Sequence, residues 1–474
     1  MKSRSIKGTV ALFTFMGGLV CQGGLSTPGT DFAMDDPIVS TSFFHWFTPT
    51  SGQLIGPWRP LEGRENWDGS VEWWKGQIKQ TMRANIDVLY VHLIREMEDQ
   101  RINMFTAFAE LRAEGYDIPR IAPFLDMMIT WLDQKVDMST AEPKQELIGE
   151  YVRFYEQYFS VNRDEHAADY IAKIDGRPVL VTWHMHVNTT NLDDFTREDL
   201  EQGLAKQLAD RCPEFNNGIY MVTTAASESF SFADEKTFLF ELHCYHVQKE
   251  HKGLVSAMVK PGYWDQNVRT PGYCLPRAGG ANYRSAWDQV LTSPVVKRVY
   301  VESFNEYDEG SGIYVGDPGP YYNHSGAENE SADTWSADND PFEYINTTAE
   351  GARRFNDTPD DDAVILNHDA PAVMEAGKEY RFTVMVRNEG DRLWAKDAGI
   401  QQGLQGTGDS APKLWPIEMS KDQLRYGGIF RGCPVAVEVK VVAPDKAGTR
   451  QFTTGMVRDG KPFGGELKIK VKVK

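Results

Sequence analysis

Short apolar runs rich in β-branched and aromatic residues recur through the first three quarters of the chain, separated by longer amphipathic stretches. Runs of this length predict buried parallel strands, and the amphipathic stretches predict the helices that connect such strands. The predicted strands are 38–47, 86–94, 120–129, 178–186, 218–225, 237–245, 254–260 and 297–304. The predicted helices include 71–85, 104–114, 143–174, 197–212 and 283–291.

Eight strand–helix units predict an α/β fold, a (β/α)8 TIM barrel with insertions, over residues 36–355. The stretch between the fifth and sixth predicted strands is short, so one helix of the ring is expected to be degenerate. In such a barrel the loops at the carboxyl ends of the strands carry the reacting groups. Candidate functional residues are therefore those just past each apolar run.

The pattern changes at residue 356. Residues 356–362 are polar and acidic, contain a proline, and predict a linker. Residues 363–474 then show only the alternation of half-buried strands, which predicts an Ig-like all-β sandwich. Its predicted strands are 363–367, 379–388, 435–443, 450–457 and 466–473.

The first 30 residues have the layout of a secretory signal peptide. Lys2, Arg4 and Lys7 precede an apolar run over 9–20, and small and polar residues follow. That run is too short for the roughly 20 residues of a membrane span, and no later stretch is long enough. We therefore expect a secreted or periplasmic protein. An outer-surface lipoprotein is the less favoured alternative, because Gly-Leu-Val before Cys21 departs from the usual lipoprotein pattern.

Composition and charge restrict the partners. The 474 residues are 41% apolar and 25% charged, which are ordinary globular values. The formal net charge of -18 repels phosphate backbones, so we expect no nucleic-acid partner. The four cysteines beyond residue 30 have no C-x-x-C spacing and are too few for a disulfide scaffold, although one bridge is compatible with their number.

Two glutamates follow the eighth predicted strand. Glu306 and Glu309 lie three positions apart, directly after Asn305. Glycoside cleavage needs such a pair, because one carboxyl donates a proton to the departing oxygen while the other supplies or generates the nucleophile. E-x-x-E spacing is common, and a solvated acidic loop is the alternative interpretation.

The segment V-E-S-F-N-E-Y-D-E-G-S-G-I at 301–313 resembles S-F-N-E-W-x-E-G-T-Q-I of the endo-α-mannosidase-like glycoside hydrolases of family 99 and their relatives. The resemblance continues upstream in the same order and covers roughly residues 38–315. Its other pieces are W-K-G-Q-I at 74–78, N-I-D-V-L-Y-V at 85–91, I-D-G-R-P-V-L at 174–180, K-P-G-Y at 260–263 and R-A-G-G-A-N-Y at 277–283.

The resemblance implies a retaining hydrolase that needs neither a metal nor a cofactor. It implies that Glu306 acts as a base on the sugar's own 2-hydroxyl, giving a 1,2-anhydro sugar, and that Glu309 is the general acid/base. This chain departs from the family at Tyr307, which replaces Trp, and at Gly312 and Tyr314, which replace Gln and Glu. Mannose specificity is therefore not implied.

Other residues at the predicted barrel mouth are candidates for contact with a carbohydrate substrate. His184 and His186 form an H-x-H pair, which also raises a metal-dependent hydrolase as an alternative that would need further ligands. For the aromatic residues, plain packing is the alternative. The full set is His45, Trp46, Asp126, His184, His186, Tyr245, Trp264, Asp265, Tyr283 and Asn305.

The C-terminal region resembles, in part, the four-tryptophan Ig-like domain found in many bacterial enzymes. The resemblance rests on 377–388, 393–394 and 455–464, with only Trp394 and Trp415 as signature tryptophans. Such a module could bind carbohydrate, but a spacer is favoured.

The sequence as a whole favours an exported glycoside hydrolase acting on a polysaccharide or glycan. A glycosyltransferase-like relative in polysaccharide biosynthesis is one alternative, which export disfavours because nucleotide-sugar donors are cytoplasmic. A catalytically inactive carbohydrate-binding protein is another.

Overall fold

The computed structural model describes residues 31–47, 55–63, 66–93, 98–126, 135–185, 187–224, 230–237, 243–319, 334–406 and 413–474. The predicted signal peptide at 1–30 and His186 lie outside these ranges. Within the ranges, no helix is both long and apolar enough to cross a membrane.

Eight parallel strands form a nearly closed barrel sheet, as the hydrophobic pattern predicts. Neighbouring strands are hydrogen-bonded in the order β7-β8-β1-β2-β3-β4-β5-β6, and β6 contacts β7 where the sheet meets itself. Most of their residues are buried, which explains the continuous apolar runs in the sequence. The strands are β1 (Ile38–Phe43), β2 (Val88–Leu93), β3 (Arg120–Asp126), β4 (Arg177–Trp183), β5 (Tyr220–Thr224), β6 (Glu235–Thr237), β7 (Leu254–Val259) and β8 (Val296–Val301).

Side chains inside the barrel join the strands around the point of closure. The Glu235 carboxylate on β6 accepts hydrogen bonds from Tyr220 on β5 and Ser256 on β7, both at 3.1 Å. Its other near neighbour is Arg298 on β8, with Nε 3.5 Å from Oε2. The short strand β6 is thus connected to both of its flanks.

In the described part of the barrel, six α-helices accompany the strands, and local capping explains where two of them begin. Ser70 accepts a hydrogen bond from the Trp73 amide at the start of α1, and Thr196 forms a reciprocal capping box with Asp199 at the start of α4. The helices are α1 (Val71–Arg83), α2 (Glu98–Ala113), α3 (Ala141–Val161), α4 (Arg197–Leu208), α5 (Ala281–Leu291) and α6 (Glu343–Phe355).

Two predicted elements need correction. The helix predicted over 143–174 ends at Val161, where Asn162 adopts an extended conformation, and a 3-10 helix (Ala167–Tyr170) and a short strand (Lys173–Ile174) follow. The sixth strand, predicted over 237–245, shares Thr237 with β6, and residues 238–242 of the predicted range lie outside the described residues. Residues 243–245 are not strand, and an antiparallel strand, His246–His251, follows them and forms a hairpin with β7.

Short strands in the described loops form three further pairings. Lys173–Ile174 pairs with β4, Val136–Asp137 pairs with Thr189–Thr190, and Tyr263–Trp264 pairs with Cys274–Leu275. The last pair makes the loop after β7 a hairpin.

The C-terminal part is all-β apart from one short helix, α7 (Lys421–Arg425). One sheet has the order β9-β11-β14 and the other has the order β10-β16-β15-β12-β13. The sequence pattern misses β10, β12, β13 and α7, which are short or lack clear alternation. The strands are β9 (Ala363–His368), β10 (Val373–Met374), β11 (Glu379–Asn388), β12 (Ile400–Gly406), β13 (Lys413–Pro416), β14 (Pro434–Val442), β15 (Gly448–Arg458) and β16 (Lys461–Val473).

Residues 356–362, predicted to be a linker, are fixed between the two parts. Asp360 forms ion pairs with Arg353 on α6 and with Arg392. Arg431 lies between Asp87 of the barrel and Asp391, at 2.6 and 2.8 Å. The all-β part therefore packs directly on the end of the barrel where the strands begin.

Candidate active site

A cavity of about 310 Å³ lies at the carboxyl ends of the barrel strands. Phe44, Trp46, Phe124 and Trp183 form its aromatic wall. Trp46 packs on Phe44 with ring centroids 4.4 Å apart, and Trp183 stacks on His184 at 3.9 Å. The cavity thus combines broad aromatic surfaces with a polar side, as carbohydrate sites do.

Four carboxyl groups line the polar side of the cavity: Asp126, Glu302, Glu306 and Glu309. Glu302 is paired with the fully buried Lys260, with Nζ 3.4 Å from Oε1. The structure therefore brings the predicted pair, Glu306 and Glu309, into one cavity with two further acids.

Asn305 fixes the loop that carries the two glutamates. Its amide oxygen accepts a hydrogen bond from the Phe44 backbone N–H, and its amide nitrogen donates to the Phe44 carbonyl, both at 2.8 Å. The next residue, Glu306, donates its backbone N–H to Ser303 Oγ at 2.9 Å. Asn305, predicted to contact sugar, here joins the ends of β8 and β1.

Glu306 is half-buried and lines the cavity. Burial raises the pKa of its carboxyl well above the ordinary value, and the negative charges of Glu309 and Asp308 raise it further. The Asp308 backbone N–H donates to Glu306 Oε1 at 3.3 Å, which is a weak opposing contact. The site therefore disfavours the charged form of Glu306 relative to a glutamate in water.

Glu309 has a different environment. Arg269, on the hairpin after β7, donates from Nη2 to Glu309 Oε1 at 2.6 Å. The Trp264 backbone N–H donates to the Glu309 carbonyl at 2.9 Å, which fixes the main chain of that residue. The two glutamates are thus three residues apart in sequence but differ in their partners.

The Trp264 side chain is fully buried, whereas Asp265 supports Arg269. Asp265 Oδ2 accepts from Arg269 Nη1 at 2.7 Å, and the Tyr263 hydroxyl accepts from the same nitrogen at 3.0 Å. In the structure Trp264 and Asp265 hold the protein's own groups beside the cavity, and their predicted contact with a substrate stays a prediction.

Two predicted residues lie next to the cavity and a third lies behind it. Asp126 lines the cavity, and its Oδ2 is 3.5 Å from His92 Nε2. His184 also lines the cavity, in a left-handed backbone conformation. His45 is fully buried and is not part of the cavity wall; burial lowers its pKa, and the Arg101 charge lowers it further.

Tyr245 and Tyr283, predicted to contact the substrate, are not among the residues that line the cavity. The Tyr245 hydroxyl donates to the Pro276 carbonyl at 2.6 Å. Tyr283 is buried between α5 and α6, and its hydroxyl is 2.8 Å from Thr348 Oγ1. Contact of either tyrosine with a substrate stays a prediction. His186 lies outside the described residues, so its role stays a prediction.

Several cavity residues were not singled out by sequence reasoning. Phe124, Trp183 and Tyr300 line the cavity from within strands. A search limited to the residues just past each apolar run therefore misses them. Arg269 lies in the loop after the seventh strand, four residues beyond Asp265. That position is the one signal in the sequence that could have marked Arg269 as a cavity residue. Among the described residues, no three His, Cys, Asp or Glu side chains are placed to hold a metal ion.

Comparisons with known proteins give only distant matches. No family model and no curated protein matches the chain. A solved GH99 endo-α-mannosidase from Bacteroides thetaiotaomicron, in complex with Bis-Tris-propane, is 13% identical and has a TM-score of 0.46, with 68% of this chain and 98% of that chain covered. A second structure of that GH99 endo-α-mannosidase gives 13% identity and a TM-score of 0.45, with 67% and 97% covered.

A β-glucuronidase from Bacteroides uniformis is 9% identical, with a TM-score of 0.31, and covers 94% of this chain and 51% of that chain. A CARDB domain from Pyrococcus furiosus is 13% identical, with a TM-score of 0.17, and covers 24% of this chain and 96% of that chain.

Proposed function

We propose that this chain is a glycoside hydrolase that cleaves a polysaccharide or glycan with retention of anomeric configuration. The supporting observation is the presence of Glu306 and Glu309 in one cavity at the carboxyl ends of the barrel strands. A pair of carboxyl groups in different environments is the arrangement that glycoside cleavage requires.

The partners of the two carboxyl groups suggest how the roles divide. Both residues are half-buried, but Glu306 accepts a contact from the Asp308 backbone, whereas Glu309 is paired with the half-exposed Arg269. We assign Glu306 to the sugar that is cleaved, where its carboxylate accepts the proton of the 2-hydroxyl as that oxygen attacks the anomeric carbon. Glu309 protonates the departing oxygen and then takes a proton from the water that opens the 1,2-anhydro sugar.

The walls of the cavity suit a neutral sugar. Trp46 and Trp183 offer aromatic faces on which pyranose rings stack, and Asp126 and His184 offer hydrogen bonds to hydroxyl groups. Among the described residues, the four carboxyl groups of the cavity outnumber the two cations beside them, Arg269 and the buried Lys260. This balance of charge favours a neutral sugar over a sulfated or uronic one.

A panel of α- and β-linked polysaccharides, incubated with the purified protein, tests the proposal. We expect release of reducing ends from at least one neutral polysaccharide, and loss of a factor of at least about 100 in turnover for Glu306→Gln and for Glu309→Gln. Glu350→Gln, on the exposed surface of α6, is the matched control and should keep full activity. Binding of a polysaccharide without cleavage would instead identify an inactive carbohydrate-binding protein.

A further inference from the structure

Arg277 binds the main chain directly after Glu309. Its Nη2 atom donates to the Gly310 carbonyl at 3.0 Å and to the Gly312 carbonyl at 2.8 Å. Both glycines are buried and lie outside helices and strands, so their carbonyl groups need a donor from elsewhere in the chain. Arg277 supplies that donor from a position between the hairpin after β7 and the start of α5.

Four consecutive carbonyl groups, those of residues 309–312, all accept hydrogen bonds. Besides the two glycine carbonyls, the Glu309 carbonyl accepts from the Trp264 backbone N–H at 2.9 Å, and the Ser311 carbonyl accepts from the Ser303 backbone N–H at 3.0 Å. The backbone that leads away from the two glutamates is therefore fixed residue by residue, and two of these four carbonyls depend on one side chain.

Three aromatic rings enclose the guanidinium of Arg277, which is fully buried. Its central carbon lies 4.4 Å from the centre of the Trp58 ring, 4.5 Å from that of Trp335 and 4.3 Å from that of Tyr344. The face of an aromatic ring attracts a cation, and the attraction is stronger where water is excluded. The guanidinium is therefore fixed by groups that lie outside the loop it contacts.

We propose, on the basis of the hydrolase function proposed above, that Arg277 is a positioning residue for Glu309. Arg277 is not among the residues that line the cavity, and it acts through the backbone that follows Glu309. Asn305 fixes the residue before Glu306, so the segment that carries both glutamates is fixed at its two ends. Without Arg277, two buried carbonyls lose their donor, and the loop must move, together with Glu309, to satisfy them.

Steady-state kinetics of Arg277→Met on the identified substrate test this role. Methionine keeps a contact with the rings but donates no hydrogen bond. The value of kcat should fall about 100-fold with little change in KM, because a displacement of about 1 Å in a catalytic group costs that much. Arg277→Lys keeps a cation with N–H donors among the rings and should lose only about tenfold in kcat. If Arg277→Met does not fold, this smaller loss, again with little change in KM, is the result that tests the proposal.

Arg298→Met is the matched control. Arg298 is also buried, at 4% exposure, and it donates to the backbone carbonyls of Met34 and Asp36 at the opposite end of the barrel. Its replacement should lower Tm, as that of Arg277 does, but the folded protein should keep the kcat of the wild type. Equal falls in kcat in the two methionine variants would overturn the proposal, and so would a rise in KM in Arg277→Met with kcat unchanged.

Amide hydrogen exchange of the full chain tests the contact without any substrate. The Trp264 and Ser303 amides donate to carbonyls of the loop that carries the two glutamates. In Arg277→Met both amides should exchange at least about tenfold faster, as expected for the loss of a hydrogen bond from a charged donor. In Arg298→Met both should exchange as slowly as in the wild type.

Activity and exchange together separate the role of Arg277 from the hydrolase function. Failure of the wild type to cleave any glycoside would refute the hydrolase function, whatever the exchange rates are. Exchange at Trp264 and Ser303 that is as slow in folded Arg277→Met as in the wild type would overturn the role of Arg277, even in an active hydrolase.

Discussion

Asn305 and Phe44 are joined by two hydrogen bonds of 2.8 Å, one in each direction between the Asn305 amide group and the Phe44 backbone. This contact connects the loop that carries Glu306 to the residue after β1 that begins the aromatic wall. The buried Asn305 amide therefore helps to fix the position of the proposed catalytic pair relative to the aromatic wall.

Asn305→Ala should lower kcat by about 100-fold with little change in KM, because a displacement of about 1 Å in a catalytic group costs that much. Steady-state kinetics on the identified substrate measure the effect. Asn282→Ala, an exposed amide on α5, is the control. Wild-type kcat in Asn305→Ala would show that the loop is held without this contact.

Replacing Glu306 should stabilise the protein in a pH-dependent way. Burial raises the pKa of Glu306, so the folded state holds this proton more tightly than the unfolded state does. Stability is therefore lost as the pH rises from the ordinary glutamate pKa towards the folded pKa. Glu306→Gln removes that loss and should raise Tm by about 2 °C near neutral pH but not near pH 4.

Calorimetry of the wild type, Glu306→Gln and the surface variant Glu350→Gln over this pH range measures the difference. An equal change in Tm at both ends of the range would mean that the ionisation of Glu306 is not its origin.

The all-β part should be needed for the stability of the barrel. Arg431 neutralises Asp87 and Asp391, whose side chains are almost completely buried. Arg431→Met leaves these charges without their cation and should cost about 3 kcal/mol in the free energy of unfolding. Arg381→Met, which breaks an exposed pair with Glu438, should cost less than about 1 kcal/mol.

Urea denaturation of both variants tests this difference.

A chain that ends at Phe355 should be poorly soluble. Without the all-β part, the face of α1 that Asp422 and Tyr426 cover is exposed to solvent. A soluble truncated chain with a wild-type Tm would contradict this expectation.

The aromatic wall should contribute mainly to binding. Trp46→Ala should raise KM about tenfold, as expected for the loss of one stacking contact, with a smaller effect on kcat. Trp415→Ala, on β13 of the all-β part, is the matched control. If Trp415→Ala alone raises KM, and only for long polysaccharides, then the all-β part carries the binding surface and the wall does not.

The barrel could be predicted from sequence because most of its strands are buried and leave continuous apolar runs. The sixth strand is the exception, because its described part, Glu235–Thr237, contains Glu235 and Lys236 and begins before the predicted range of 237–245. Acidic residues of the predicted linker, such as Asp360, look solvated in sequence, because the arginines that pair with Asp360 lie outside residues 356–362.

Sequence could single out Glu306 and Glu309 because they lie on one loop directly after a strand. The groups that distinguish the two glutamates could not be predicted, since Arg269 reaches Glu309 across 40 residues of sequence. Tyr283 is buried between two helices, so a stretch that resembles a family contains packing residues as well as candidate site residues. Trp264 and Asp265 lie beside the cavity, but sequence cannot show whether a polar group at a barrel mouth serves the substrate or its neighbours.

Proton NMR of the first product formed from the identified substrate tests the central claim most directly. Cleavage through a 1,2-anhydro sugar inverts the anomeric carbon twice, so the first-formed product should have the anomeric configuration of the substrate. A substrate with hydrogen in place of the 2-hydroxyl should resist cleavage under the same conditions. An inverted first product would contradict the assignment of Glu306 and Glu309 as a retaining pair.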